Sequence, residues 1–318
     1  MNVLIDRLGL RVRLFLVLTA AIPAFLTAGP ADAQTKIVLS FSAAASFSNL
    51  FVAADQGLLT KGGLDVDMKL IPNSGTTPAA LLANSVQIAG LTAATTLQAA
   101  EAGMDLVVLA GGGITSKGPS EAAVLGRIGS NIKKPEDFIG KKVAAPALNA
   151  FLHVLFRQWL TDNGVDWRKV NFVEVPLQQM GDILRSGQVD AALTSEPFKS
   201  RTLEAKGAEM IAPYVAQGPS GIFATWYIST RKWADANKDA VKGFQSAIAQ
   251  ATAMTANNDV TRKAVATYLK LPPDALAQTP IPEFQAEIKP KDIDAWVSIA
   301  LSQDLIKTKM DANRLMIR

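Results

Sequence analysis

Strand-like and helix-like stretches take turns along most of this chain, and that alternation restricts the fold more than any single motif. Leu64-Asp65-Val66-Asp67-Met68-Lys69-Leu70 switches strictly between apolar and polar residues, the period of a strand with one solvated face. Thr76-Thr77-Pro78 then predicts a helix start, with Thr77 as N-cap and Pro78 at the first helical position. Residues 86–91 read as a short buried strand, 93–102 as a helix and 106–110 as another buried strand. Strands near 143–145, 172–175 and 189–193 follow, with helices starting at Phe151, Leu177 and Pro197. Gly57, Gly103, Gly164, Gly187 and Gly207 each come after an apparent helix, where a left-handed residue ends it at little cost. This rhythm predicts mostly parallel sheets covered by helices on both faces. After a strand at 223–228 the pattern is nearly all helical, over 231–257, 260–269 and 293–306.

One internal echo sharpens the expectation. Leu82 to Thr92 (LANSVQIAGLT) aligns without gaps on Leu184 to Thr194 (LRSGQVDAALT). Both runs end a helix, pass through a small-residue strand and stop at Thr before another helix. Ordinary resemblance between two αβα units is one explanation. The other is two lobes built on one plan, and ligands of open α/β sheets gather outside the carboxyl ends of strands. Two such lobes would set Thr92 and Ser195 on opposite walls of one cleft.

The first 33 residues point to export. Arg7, Arg11 and Arg13 precede an uncharged apolar run from Leu14 to Ala28, and Ala31-Asp32-Ala33 is a small-x-small triplet followed by Gln34. That is the layout of a signal peptide cleaved after Ala33. Pro23 interrupts the run, which is shorter than the roughly 20 residues a spanning helix needs. About 285 of the 318 residues then remain, more than one hydrophobic core usually holds. The leader carries three Arg and two Asp, so its removal lowers the formal charge from +4 to +3, too little to argue for nucleic acid. The chain has no cysteine, which removes a disulfide framework, a thiolate metal site and a lipid-modified N-terminal Cys. With His153 as its one histidine, it has little material for a zinc site or a Ser-His-Asp hydrolase. No cofactor motif is present, and none is expected.

At several places the residues carry a family resemblance. Ala53-Ala54-Asp55-Gln56-Gly57-Leu58-Leu59 with Gly63-Leu64-Asp65-Val66, then Asn73-Ser74-Gly75-Thr76-Thr77 and Val86-Gln87-Ile88-Ala89-Gly90, stand in the order of one family. Lys134-Pro135-Glu136-Asp137-Phe138-Ile139-Gly140-Lys141-Lys142-Val143 and Gly187-Gln188-Val189-Asp190-Ala191 with Ser195-Glu196-Pro197-Phe198 complete the series. The chain resembles the nitrate, sulfonate and taurine-type substrate-binding proteins of ABC importers, a group that also includes binders of thiamine pyrimidine precursors. The resemblance implies a type II periplasmic-binding fold, two α/β lobes joined by two hinge crossings with a helical C-terminal region. Lobe one would comprise residues 34–123 and 222–318, lobe two residues 124–221, with crossings near 121–124 and 220–223.

The ligand candidates are loop residues at strand ends. Ser42, Ser46, Phe47 and Ser48 lie between the first strand and its helix, where small residues leave backbone N–H groups open to a polar ligand. Ser46 or Ser48 capping the helix is compatible with that role. Ser74, Gly75 and Thr76 repeat the arrangement, and Thr92 with Ala93 repeats it again. In the second lobe Asn149 opens the helix that carries His153, and Gln178 stands at the next helix start. His153 matches a histidine of sulfonate-type members, although their Gly-Ser pair is Asn149-Ala150 here; packing and ligand contact both remain open for it. Ser195 and Glu196 begin a further helix, where Glu196 either caps it or meets the ligand. No Arg or Lys is among these candidates, although Lys117 and Arg127 would serve if the chain folds back. Phe47, Phe151 and Trp226 offer stacking surface, or else core. This favours a small organic ligand, aromatic or heterocyclic with one acidic or polar group, or a sulfonate, over nitrate.

The resulting expectation is a periplasmic, monomeric binding protein that closes on its ligand and delivers it to the permease and ATPase subunits of an importer, with no catalysis. Lys61, Lys69, Lys199 and Arg201 are rim candidates for docking, with a solvated face as the plain alternative. Two other classes compete. A sensor subunit would use the same cleft to signal. A pyrimidine-precursor synthase of the same fold depends on a Cys-rich motif that this chain lacks.

Overall fold

In the first sheet, the strands Ile88–Leu91 and Leu106–Gly111 are short and apolar because both of their faces are buried, whereas the edge strand Leu64–Leu70 keeps one solvated face. The computed structural model describes residues 34–317 apart from 73, 119–120, 273–275 and 278, so the expected leader and its cleavage point lie outside the described residues. The first half runs β1 (Thr35–Phe41), α1 (Ser48–Asp55), α2 (Leu58–Lys61), β2 (Leu64–Leu70), α3 (Thr77–Leu82), β3 (Ile88–Leu91), α4 (Ala93–Glu101), β4 (Leu106–Gly111) and β5 (Gly113–Ile114). Next come β6 (Ala122–Arg127), β7 (Lys142–Ala145), α5 (Phe151–Asp162), β8 (Asn171–Glu174), α6 (Met180–Arg185), β9 (Ala191–Ser195), α7 (Phe198–Glu204), β10 (Ala208–Ala212) and α8 (Tyr214–Gln217). The chain closes with β11 (Trp226–Thr230), α9 (Arg231–Ala236), α10 (Lys238–Met254), α11 (Asn258–Leu269), β12 (Glu283–Phe284) and α12 (Pro290–Ser302). No helix among the described residues is long and apolar enough to cross a membrane.

Two five-stranded sheets result, ordered β2-β1-β3-β11-β4 and β8-β7-β9-β6-β10. Position by position they follow one plan, and the two echo strands, β3 and β9, hold the same central place. Four of the five strands in each sheet run in one direction, as expected, and one runs against them. β1 is parallel to β2 and β3, and β7 to β8 and β9. β11 is antiparallel to both its neighbours, and so is β6. The reason is topological: β6 and β11 are the strands that follow the two crossings. Each starts at the end of its sheet where the parallel strands finish, and so runs against them.

The crossings themselves are paired. Ala224 N donates to Gly113 O at 2.8 Å, Thr115 N to Ile222 O at 2.8 Å, and Gly221 N to Thr115 O at 2.8 Å. Thr115 Oγ1 donates to Pro219 O at 2.7 Å and accepts from Ile222 N at 3.0 Å. This pairing delays the strand expected at 223–228, which starts at Trp226.

Other local corrections are smaller. The helix after Pro72 is capped one residue early, at Thr76, with Pro78 in its first turn. Lys206, at φ 51°, takes the left-handed position expected of Gly207. A Cβ on Gly207 would stand 3.0 Å from Arg185 Cγ, so that glycine serves close packing. The helix expected over 231–257 breaks at Asn237, whose Nδ2 donates back to Trp233 O at 2.8 Å.

Candidate functional site

The residues that converge on the space between the sheets come from strand ends. Past the carboxyl end of β1 lie Ser42, Ala43 and Ala44, past β2 Pro72, and past β3 Thr92. The second sheet contributes Pro146 and Ala147 past β7, Leu177 and Gln178 past β8, and Ser195 at the end of β9. Because β11 and β6 run the other way, their beginnings, Thr225 and Glu121, arrive at the same place. Together they line a cavity of about 720 Å³, part of it open to solvent. Such crevices outside strand ends are where α/β proteins bind ligands.

Aromatic surface comes from Phe47 and Phe151. Phe47 reaches the cavity because Gly90 makes room: a Cβ there would stand 2.4 Å from Phe47 Cε1. Polar groups are Ser42, Ser46, Thr92, Gln178, Ser195 and Thr225, and Thr225 Oγ1 donates to Ser46 O at 3.1 Å. Thr92 also caps α4, its hydroxyl accepting from Thr95 N at 3.3 Å. Beside the cavity, Ala45 N, past β1, donates to Glu196 O, past β9, at 3.0 Å, and Gln98 Nε2 of α4 donates to Asn149 O at 2.9 Å.

Among the described residues Glu121 is the single charged side chain that lines the cavity, with no Arg, Lys or His in the lining. It is 9% exposed, and its Oε1 has no hydrogen-bond partner among the described residues. Burial, followed by the neighbouring Glu196 carboxylate and opposed by Lys199, pushes its pKa up to about 8. Glu196 is satisfied instead: Lys199 Nζ stands 2.7 Å from its Oε1, Ser200 Oγ donates to that oxygen at 2.8 Å, and Ser200 N donates to Oε2 at 3.2 Å.

Six of the fifteen candidates, Ser42, Ser46, Phe47, Thr92, Gln178 and Ser195, line the cavity. The structure places the others elsewhere. Ser48 Oγ donates to Ala45 O at 2.6 Å, inside the turn. Ala93 is fully buried in the first turn of α4. Gly75 and Thr76 are exposed beside α3, and the Ser74 side chain lies outside the described residues. Glu196 points its carboxylate into α7, and Trp226 is fully buried within the first sheet.

His153 and Asn149 form a separate cluster. Asn149 N donates to His153 Nδ1 at 2.9 Å, which puts the imidazole proton on Nε2, and the ring packs edge-on against Phe172 at 4.4 Å. Burial first, then the Arg157 charge, lowers the His153 pKa to about 3, so the ring is neutral. Arg157 stacks 3.5 Å over Trp167 and donates to Asn149 Oδ1 at 3.0 Å and Gln303 O at 2.7 Å. The charge candidates also turn away from the cavity: Lys117 donates to Gly218 O at 2.6 Å, and Arg127 pairs with Asp190 at 3.6 Å. Lys199, taken as a rim cation, is buried against Glu196, which corrects that expectation.

Sequence reasoning missed Glu121 and the small apolar lining residues Ala43, Ala44, Pro72, Pro146 and Ala147. A lone carboxylate immediately ahead of the apolar run Ala122 to Leu125 was the available signal for Glu121. Among the described residues no group of His, Asp and Glu is arranged to hold a metal ion.

Two mixed sheets on one plan, joined by paired crossings and enclosing a cleft, define the periplasmic-binding-protein fold. By its sequence, the chain belongs to the NMT1/THI5-like family, whose model matches residues 44–261. No curated protein sequence matches the chain. Among solved structures, it is similar to the alkanesulfonate-binding protein SsuA of Xanthomonas axonopodis pv. citri bound to MOPS, with a TM-score of 0.75 and 20% identity, covering 90% of this chain and 99% of that one. The periplasmic aliphatic sulphonate-binding protein SsuA of Escherichia coli gives 0.69 and 19%, over 88% and 97% of the two chains. The periplasmic nitrate-binding protein NrtA of Synechocystis PCC 6803 gives 0.72 and 14%, over 88% and 84%.

Proposed function

We propose that this chain is the solute-binding protein of an ABC importer, exported to the periplasm, which captures a small organic ligand between its two lobes. The observation that carries this reading is the cleft itself, in which strand ends of both sheets supply a mostly apolar wall, two aromatic rings and a few hydroxyls. A ligand touching both walls would hold the lobes together, bending the paired crossings while each sheet stays intact. The closed outer surface would then be what a permease recognises, with the ligand passed on unchanged. The lobes would divide as residues 34–123 with 222–318, and 124–221, and the protein would act as a monomer.

A thermal-shift screen of sulfonates, aromatic acids, pyrimidines and amines against the exported protein tests the reading. A solute at 100 times its Kd should add about 2.7 kcal/mol of stability. It should also be recovered chemically unaltered, and small-angle scattering should register compaction on binding. Recovery of a converted product, or failure of every solute class to bind, would overturn the proposal. N-terminal sequencing of periplasmic protein should begin at Gln34; Met1 retained in a membrane fraction would refute export with cleavage.

A further inference from the structure

A carboxyl group that is buried, faces a cavity and lacks a partner is costly unless something outside the chain satisfies it. Glu121 has all three properties: it is 9% exposed, it lines the cleft, and its Oε1 has no hydrogen-bond partner among the described residues. The titratable groups around it leave it so. Glu196, past the end of β9, repels it; Lys199, on α7, attracts it from an ion pair already made with Glu196 at 2.7 Å; and Tyr214, on α8, gives its hydroxyl to Leu152 O at 3.0 Å. The nearest fixed carboxylate is therefore matched within the protein, and Glu121 is the one left over.

The rest of the lining constrains the chemistry of what can satisfy it. Ser42, Ser46, Thr92, Gln178, Ser195 and Thr225 are neutral, and no cationic side chain among the described residues lines the cavity. An anion bound there would have no counter-charge and would lie close to an acidic group. An N–H donor with positive charge would find a carboxylate in a site shielded from water, where charge-assisted hydrogen bonds are strong. Phe47 and Phe151 supply faces for a flat or aliphatic body behind that nitrogen.

We infer that Glu121 is the specificity-determining residue of this cleft, and that it selects a solute presenting a basic nitrogen, an amine or amidine, against sulfonates and other anions. The assignment rests on reading the cleft as a solute site. Glu121 gives up its proton to solvent as the cation binds, so the ligand enters as its ion and the site holds one ion pair.

Three probes share a ring and differ in charge: benzamidine, benzoate and benzenesulfonate. Calorimetry on the exported protein at pH 7 should find benzamidine the tightest of the three. Glu121→Gln should weaken benzamidine about 30-fold or more, as expected when one partner of a buried charge pair is lost. Titrations in two buffers of different ionisation enthalpy should report release of about 0.9 proton per benzamidine bound, since a group with its pKa near 8 is about nine-tenths protonated at pH 7. That wild-type measurement decides the matter if the variant fails to fold, and absence of proton release overturns the inference. So does tighter binding of either anion, unchanged benzamidine affinity in a folded Glu121→Gln, or no benzamidine binding at all. An anion that binds and is weakened by Ser195→Leu would leave the solute-binding reading standing while this inference falls. If no solute of any class binds, both fail together.

Discussion

Replacing Glu121 by Gln probes its burial with no ligand present. The native chain holds the Glu121 proton up to about pH 8, whereas an unfolded carboxyl releases it near 4.5. Between those values the native state binds more protons than the unfolded state, so stability falls as pH rises. His153 has the opposite slope. Its pKa is lowered from 6.5 to about 3, so the unfolded state takes up protons first, and stability is lost as pH falls below 6.5. The two effects oppose one another between pH 4.5 and 6.5, and above 6.5 Glu121 acts without that opposition. At 1.36 kcal/mol per pKa unit, its deprotonation removes about 2 kcal/mol of stability between pH 6.5 and 9. Gln keeps the shape of the side chain and does not titrate. Urea unfolding followed by tryptophan fluorescence should therefore give a wild-type curve that falls by about that amount over this range and a Glu121→Gln curve flatter by the same amount. Parallel curves for the two proteins would refute the burial argument, because the carboxyl would then be titrating as if in water.

Thr92→Leu and Ser195→Leu place bulk on opposite walls of the cleft and should each raise the Kd of a bound solute at least about tenfold, or about 1.4 kcal/mol, which is already the upper end of what one lost hydroxyl contact costs, with steric blocking supplying the remainder. Thr92→Leu should also lower unliganded stability by about 1 kcal/mol through loss of the α4 cap. Normal binding by both variants in calorimetry would move the site elsewhere. Gly243→Ala, inside α10, would put a Cβ 1.9 Å from Gly62 O, so it should destabilise by about 3 kcal/mol where helix propensity alone promises a gain near 1 kcal/mol. A raised melting temperature for this variant would show that the contact between α2 and α10 relaxes freely.

How much of this was legible in the sequence depended on whether a residue's neighbours were local. β2 was read at its observed bounds because its alternation records one solvated face. The echo between 82–92 and 184–194 marked β3 and β9, which do hold equivalent places in the two sheets. Strand direction left no trace in the residues, so the antiparallel β6 and β11 read like the parallel strands around them. Sequence places Glu121 in a hinge and no more, since the titratable groups that interact with it, Glu196, Lys199 and Tyr214, all stand more than 70 positions away. Lys199 was assigned to the rim on charge alone, although Glu196 stands three residues earlier and takes that charge into the interior. Small lining residues such as Ala44 and Ala147 carry no chemical signature; only the fold gives them a role.

The place of β11 also governs the order in which the molecule can be completed. All five strands of the second sheet come from residues 122–212, an unbroken stretch. The first sheet has four strands from residues 35–111, but its β3 and β4 are not partners of each other; β11, at Trp226–Thr230, lies between them. A chain emerging from its N-terminus can therefore finish the later sheet while the earlier one still lacks its middle. The gap at β3 and β4 has to stay unfilled by any other strand until residue 230 arrives. Pairings that distant in sequence are the slow ones. The small residues of β3, Ala89 and Gly90, flank a slot that this one returning strand fills.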